Sequence, residues 1–198
     1  MLTPRKGDYA DIPLNADGRS LANSWDPAAD AAAGLQCKGY AAPAIMRLPS
    51  RVDISWEDAN TLKLQIDTGM QTRLFHFGQT KPQGQRTRQG WSTAEWQFPP
   101  GTAQQRQSKR TAETYGSLKV DTSNLRAGYL RKNGVPFSED TFMTEYYNLI
   151  TEADGNQYLV IQTFIDDPKY LSRPLVRTTQ FKREPDASKR RPTECSTT

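Results

Sequence analysis

The chain holds a single histidine, His76, between Phe75 and Phe77 in a segment whose apolar residues alternate. An imidazole titrates near neutral pH and can serve as a general base. Glu145 lies between Met143 and Tyr147. If that strand face is inward, the carboxyl group is desolvated and its pKa raised, which suits proton transfer. If the face is outward, Glu145 pairs with an arginine instead. Tyr147 or Arg73 would then stabilise developing negative charge. His76, Glu145 and Tyr147 therefore read as an acid–base set for a cofactor-free isomerase, cyclase, lyase or hydratase. The plainer reading of His76 is a hydrogen-bonded structural or exposed side chain.

Other residues suit binding better than catalysis. Trp91, Trp96, Tyr129 and Tyr146 supply aromatic walls, and small-molecule pockets are mostly apolar with a few placed polar groups. Arg73, with Arg47 and Arg131, can hold a carboxylate or phenolate. Asp121 shares a strand face with Lys119 and reads as solvent-exposed, Asp166-Asp167-Pro168 as turn chemistry, and Glu57-Asp58 as part of a hairpin turn. The chain shows no Gly-x-Ser-x-Gly elbow, phosphate loop, dinucleotide fingerprint or His-rich metal cluster. Two cysteines and one histidine fall short of a structural zinc site. The expectation is chemistry without a metal or other cofactor. Cys37 and Cys195 are expected to form a disulfide that ties the C-terminal tail to the start of the domain, which implies an oxidising compartment.

The elements that must position these groups are strands. Residues 1–25 are irregular and polar. Asp26-Pro27 followed by Ala28 to Ala33 and Gly34 predicts one short helix with a capping Asp, Pro at the first position and Gly past the end. Period-two patterning then predicts strands over 52–57, 62–67, 71–77, 91–98, 117–122, 141–151, 157–166 and 175–182. About eight strands joined mostly by tight turns predict an all-β fold, a small antiparallel up-and-down, lipocalin-like barrel with room for one small ligand. A β-sandwich is the alternative. The single β-barrel domain spans 26–182. It includes a long basic loop region, 79–115, with a short strand, and a charged, frayed tail follows from 183. With Phe75 and Phe77 packed outward against the N-terminal segment, His76 faces the lumen. The strands around Phe142–Tyr147 and Tyr158–Ile161 carry apolar residues on both faces and should be covered on both sides.

Composition narrows the class. The chain has 198 residues, 35% hydrophobic and 24% charged, enough for one domain with long loops. The formal charge is +4, and residues 79–115 carry all of it. That stretch is rich in Gln, Thr, Gly and Pro, so it reads as a solvated loop and not as the basic stripe of a nucleic-acid face. No run approaches the roughly 18 apolar residues of a membrane span. The first residues, Met1 to Lys6, lead into polar sequence without the apolar core of an export signal.

Several blocks carry a resemblance. Gln36-Cys37 with Ala44-Ile45-Met46-Arg47, Trp56-Glu57-Asp58 with Thr61-Leu62-Lys63, and Thr72 to Phe77 are three of them. Gly128 to Ser138 (containing Tyr-Leu-Arg-Lys-Asn-Gly-Val-Pro), Thr144 to Tyr147 and Asp167 to Pro174 complete the set. Over roughly residues 20–185 the chain resembles a largely uncharacterised bacterial family of exported proteins of proteobacterial and acidobacterial type. The resemblance implies a periplasmic or secreted setting and supplies no activity. Two expectations follow. The first is an exported barrel that binds a small hydrophobic or aromatic molecule; the second is a cofactor-free enzyme using the same cavity. The sequence leaves the oligomeric state open.

Overall fold

The computed structural model describes residues 4–80, 84–98 and 116–197. Strands take 43% of the chain and helices 14%. The eight strands expected from alternation all form: β1 (Val52–Asp58), β2 (Thr61–Ile66), β3 (Gln71–Phe77), β4 (Trp91–Gln97), β5 (Ser117–Ser123), β8 (Phe142–Thr151), β9 (Gln157–Asp166) and β10 (Leu175–Lys182). They make one sheet in the order β1-β2-β3-β4-β5-β8-β9-β10. Its two ends, β1 and β10, are not paired with each other, so the sheet curls into a half-barrel and does not close.

Two features depart from the expected up-and-down barrel. β4 runs parallel to β3, with Phe75 opposite Ser92 and Phe77 opposite Ala94. A parallel pair needs a long crossover, and residues 78–90 supply one where a tight turn would have forced an antiparallel strand. Between β5 and β8, the segment read as a loop is a separate hairpin of β6 (Gly128–Arg131) and β7 (Val135–Phe137). It turns at Asn133-Gly134, with Gly134 at φ 87°. A two-stranded ribbon is no second layer of comparable size, so the architecture is not a sandwich.

Residues 1–25 are also not uniformly irregular. α1 (Ala16–Ser24) is capped by Asn15, whose side chain accepts from the Gly18 amide. Tyr9, Ile12, Leu14 and Ala22 are buried in the core. The alanine-rich helix forms as expected: α2 (Pro27–Ala32) is capped by Asp26, which accepts from the Ala28 and Ala29 amides. A 3-10 turn (Gln36–Tyr40) and α3 (Ala42–Ile45) follow. Tyr40, Ile45 and Met46 pack against Leu64, Phe75, Val120 and Ile161 on the sheet's concave face, filling the half-barrel. Fully burying an Ile or Met side chain contributes about 1.5–3 kcal/mol. Gly69 (φ 79°) lies directly against the Tyr40 ring, where a β-carbon would come within 2.3 Å.

The tail is held along its length. Cys195 forms the expected disulfide with Cys37. The Asp67 carboxylate accepts from the Arg190 guanidinium and the Arg191 amide, and the Ser196 amide donates to the Tyr40 hydroxyl. Among the described residues, the expected cover on both faces of β8 and β9 is only partial. Inward Met143, Glu145, Tyr147, Ile161 and Ile165 are buried, but outward Phe142 and Ile150 are 46% and 47% exposed. The N-terminal segment covers the concave side, which is where the buried alternate residues face.

Candidate functional site

Cross-strand register divides the candidate residues between two faces. Glu145 on β8 lies opposite Val120 and Thr163, and Tyr147 lies opposite Leu118 and Ile161; these are all concave positions. Arg73 on β3 faces the same interior and is fully buried. Its guanidinium grips Glu145 with two bonds, Nη1 to Oε1 at 3.1 Å and Nη2 to Oε2 at 2.6 Å. Nη1 also donates to the Tyr147 hydroxyl at 3.2 Å. Nη2 donates to Thr122 at 3.4 Å, and Thr122 shares a hydrogen bond with Ser92. The structure combines one half of each alternative for Glu145: the residue points inward, and it pairs with an arginine there instead of on the outer face. Burial opposes the Arg73 charge, but the adjacent Glu145 carboxylate outweighs it and raises the guanidinium pKa. Burial pushes the Tyr147 phenol well above its usual value. Arg73, Thr122, Glu145 and Tyr147 are all buried, so the cluster is a sealed polar core.

His76 lies on the convex face, across the sheet from Glu145 and Tyr147. The aromatic pair beside it packs inward, the reverse of the expected orientation, because Phe75 is a core residue and Phe77 packs against that core. His76 stacks on Trp91, ring centroids 3.7 Å apart and planes 7° from parallel. Partial burial holds its pKa below the usual imidazole value, with the Asp58 charge opposing. The aromatic residues are dispersed as well. Trp91 and Tyr146 are on the convex face, the latter against Phe164. Tyr129 donates to Asp30 at 2.7 Å, a carboxylate that also accepts from Trp25 and Lys38. Trp96 stands at the concave lip, 50% exposed, in a row with Phe77 and Trp56. Asp121 shares a face with Lys119 and pairs with it at 2.8 Å, but it is half-buried where exposure was expected and also accepts from the Thr144 hydroxyl. Asp167 exceeds turn chemistry. It is fully buried and accepts from the Ser138 amide and hydroxyl, the Thr141 hydroxyl and the Lys169 and Tyr170 amides. Much of the basic 79–115 stretch, including Lys81, Arg106, Lys109 and Arg110, lies outside the described residues.

The space suited to a ligand lies elsewhere, along the open seam between β1 and β10. It is a cleft of about 780 Å³. Val52 and Ile54 form one wall and Thr179 and Phe181 the other, with Met46, Leu48, Leu149 and Leu159 between them. Residues 183–190 of the tail border it and bring Arg183, Glu184 and Arg190. Sequence patterning missed this site for a physical reason. Alternation shows which residues share a face but not which strands become edges, and the cleft exists only because two edges stay apart.

No family model, curated protein or solved structure matches this chain. The site's chemistry therefore rests on its own geometry. Arg47, at the end of α3, lines the cleft. Its Nη2 donates to the carbonyls of Pro43 and Leu130. Nε is buried without a partner. Desolvation lowers the Arg47 pKa to about 10, reinforced by the nearby Arg177 and Arg131 charges and opposed by Asp11. Asp11 itself is committed to those two neighbours, at 2.7 Å from Arg131 and 2.8 Å from Arg177.

Proposed function

We propose that this protein binds a small apolar molecule in the cleft at the seam of its half-barrel. The observation that supports the reading most is the cleft itself. Its volume lies within the 300–1,000 Å³ typical of small-molecule sites, and Val52, Ile54, Leu149, Leu159 and Phe181 give it apolar surface bordered by polar and charged residues. Leu149 at 63% exposed and Ile54 at 42% are large apolar surfaces that a ligand would cover. The alternative, a cofactor-free enzyme built on His76, Glu145 and Tyr147, has less support, since the imidazole and the carboxylate are on opposite faces and the carboxylate is enclosed. In the same reading the half-barrel is an opened relative of a lipocalin-like barrel. The chain belongs with the exported bacterial proteins its motifs resemble and works in the periplasm or outside the cell. The disulfide is compatible with that setting, and no described helix is long and apolar enough to cross a membrane.

Saturable binding of the neutral dye Nile red, displaced by dodecanol at one site per chain, is the expected result. Leu149→Asp should weaken both at least tenfold without changing the circular dichroism spectrum. Absence of saturable binding in the unaltered protein would reject the reading.

A further inference from the structure

The seam cleft contains a charge that the protein does not neutralise. Four other arginines that are buried or partly buried have a carboxylate. Arg73 has Glu145, Arg190 has Asp53 and Asp67, and Arg131 and Arg177 share Asp11. Arg47 forms no ion pair among the described residues; its bonds go to two backbone carbonyls. Nε is sealed and unpartnered. Nη1 makes no hydrogen bond among the described residues, and the side chain lines the cleft. A guanidinium that is half withdrawn from water and uncompensated is costly in the free protein. The cost is recovered when an anion arrives, because an arginine–carboxylate contact is strong where water is scarce.

The apolar surface runs away from this point in one direction. Along β10 the inward positions are Arg177, Thr179 and Phe181, and Phe181 lies opposite Leu159, which lies opposite Leu149. Arg177 to Phe181 spans roughly 13 Å at strand rise. At the outer end Arg51 and Lys182 line the cleft near the Glu184 carboxylate, and with Arg47, Arg183, Lys189 and Arg190 the lining cations outnumber Asp53, Glu184 and Asp186, so the net charge of the groove favours an anion. We propose, on the basis of the cleft reading above, that the ligand is a monomeric aliphatic acid. Its carboxylate is held by Arg47, and its chain lies along Thr179 and Phe181 towards Leu149 and Leu159.

The test compares dodecanoate with dodecanol on the full chain by Nile red displacement at low and moderate salt. Dodecanoate should bind at least tenfold more tightly than dodecanol, and the gap should narrow as salt is added. Arg47→Gln should abolish the gap, so that dodecanoate and dodecanol bind that variant with affinities within twofold of each other. Arg47→Lys should keep part of it, and Arg126→Gln all of it. Equal affinity for acid and alcohol in the unaltered protein overturns the proposal and leaves the cleft reading intact; binding of neither overturns both. A gap that survives in folded Arg47→Gln overturns the assignment to Arg47. Should Arg47→Gln fail to fold, a salt-independent gap in the unaltered protein does the same. Retention on phosphatidylglycerol vesicles without dodecanoate binding would assign the charge to a lipid surface and reject a monomeric ligand.

Discussion

Arg73 and Arg47 are both arginines drawn into apolar surroundings, and they occupy opposite situations. Arg73 is enclosed with its own carboxylate, a phenol and a threonine, and five of its contacts come from strands of the same sheet. Arg47 lies where the sheet stops, bonded to backbone carbonyls and facing a cleft. The first cluster looks most like a catalytic constellation when residue types are counted, yet its charges neutralise each other and, apart from the unpartnered Arg73 Nε, its polar groups bond to one another. The second has fewer groups and an unmet electrostatic need. The difference teaches that chemical residues in a core are informative mainly when something is left unsatisfied. Satisfaction marks a structural role, and deficiency beside a cavity marks a place for a ligand.

The comparison breaks most decisively at Glu145. Glu145→Ala leaves the Arg73 charge buried without compensation, and the expected loss is about 3–5 kcal/mol in urea unfolding. The double replacement Arg73→Met with Glu145→Leu should restore most of it, since a paired charge and a well-packed apolar pair are often nearly equivalent. A single-variant loss below about 1 kcal/mol would mean that water reaches Arg73 and that the core is not sealed.

The disulfide ranks next and bears on the open region. Cys37–Cys195 links residues 158 apart and holds the tail that borders the seam cleft. Replacing Cys195 with Ser should cost about 2–4 kcal/mol. It should also weaken Nile red binding, because the wall carrying Glu184 and Arg190 then loses its covalent tether and is held by non-covalent contacts alone. Unchanged dye affinity in the reduced protein would show that the tail contributes nothing to the site. Arg47→Met gives the complementary measurement. It sacrifices two bonds to carbonyls but removes an uncompensated charge, and the two should nearly offset, leaving a loss of about 1 kcal/mol. A loss equal to that of Glu145→Ala would place Arg47 among the structural residues and erase the contrast.

What was legible in the sequence follows from which signals are local. Period-two alternation located all eight strands of the main sheet, because a half-buried strand must repeat at two. Asp26, Pro27 and Gly34 located α2, because caps act within one turn. The Cys37–Cys195 bond was accessible through simple counting. The parallel entry of β4 was not, since direction depends on where a crossover lands. The β6–β7 hairpin did carry a local signal, Asn133-Gly134 between short apolar stretches, and was passed over because each strand is only three or four residues long. α1 was hidden by its polarity: only Gly18 and Ala22 are buried, and its stability depends on the Asn15 cap and on packing against β7. At the site, the inward direction of Glu145 and Tyr147 and the outward direction of His76 hinged on one binary choice. Alternation correctly separated Arg73, Phe75 and Phe77 from Leu74 and His76. Deciding which set faces the core required the plug formed by Tyr40, Ile45 and Met46, a contact between segments that alternation does not reach.

The smallest effect concerns that outward face. Partial burial holds the His76 pKa below that of an unfolded chain, while the Asp58 charge partly opposes the shift. The unfolded chain therefore binds the proton more readily, and stability rises with pH wherever the two states differ in protonation. The contribution is complete above about pH 6.5, the ordinary imidazole value, and is lost as pH falls through the lower folded-state pKa. The stacked Trp91 ring should report the same event, since a protonated imidazole in contact with indole quenches its fluorescence. His76→Gln should flatten both the thermal midpoint between pH 7 and pH 5 and the Trp91 signal, by a few degrees and a small fraction of the emission. Dodecanol affinity should be unaltered over that range. If it falls together with the His76 titration, the convex histidine communicates with the seam, and the separation of the two faces does not hold.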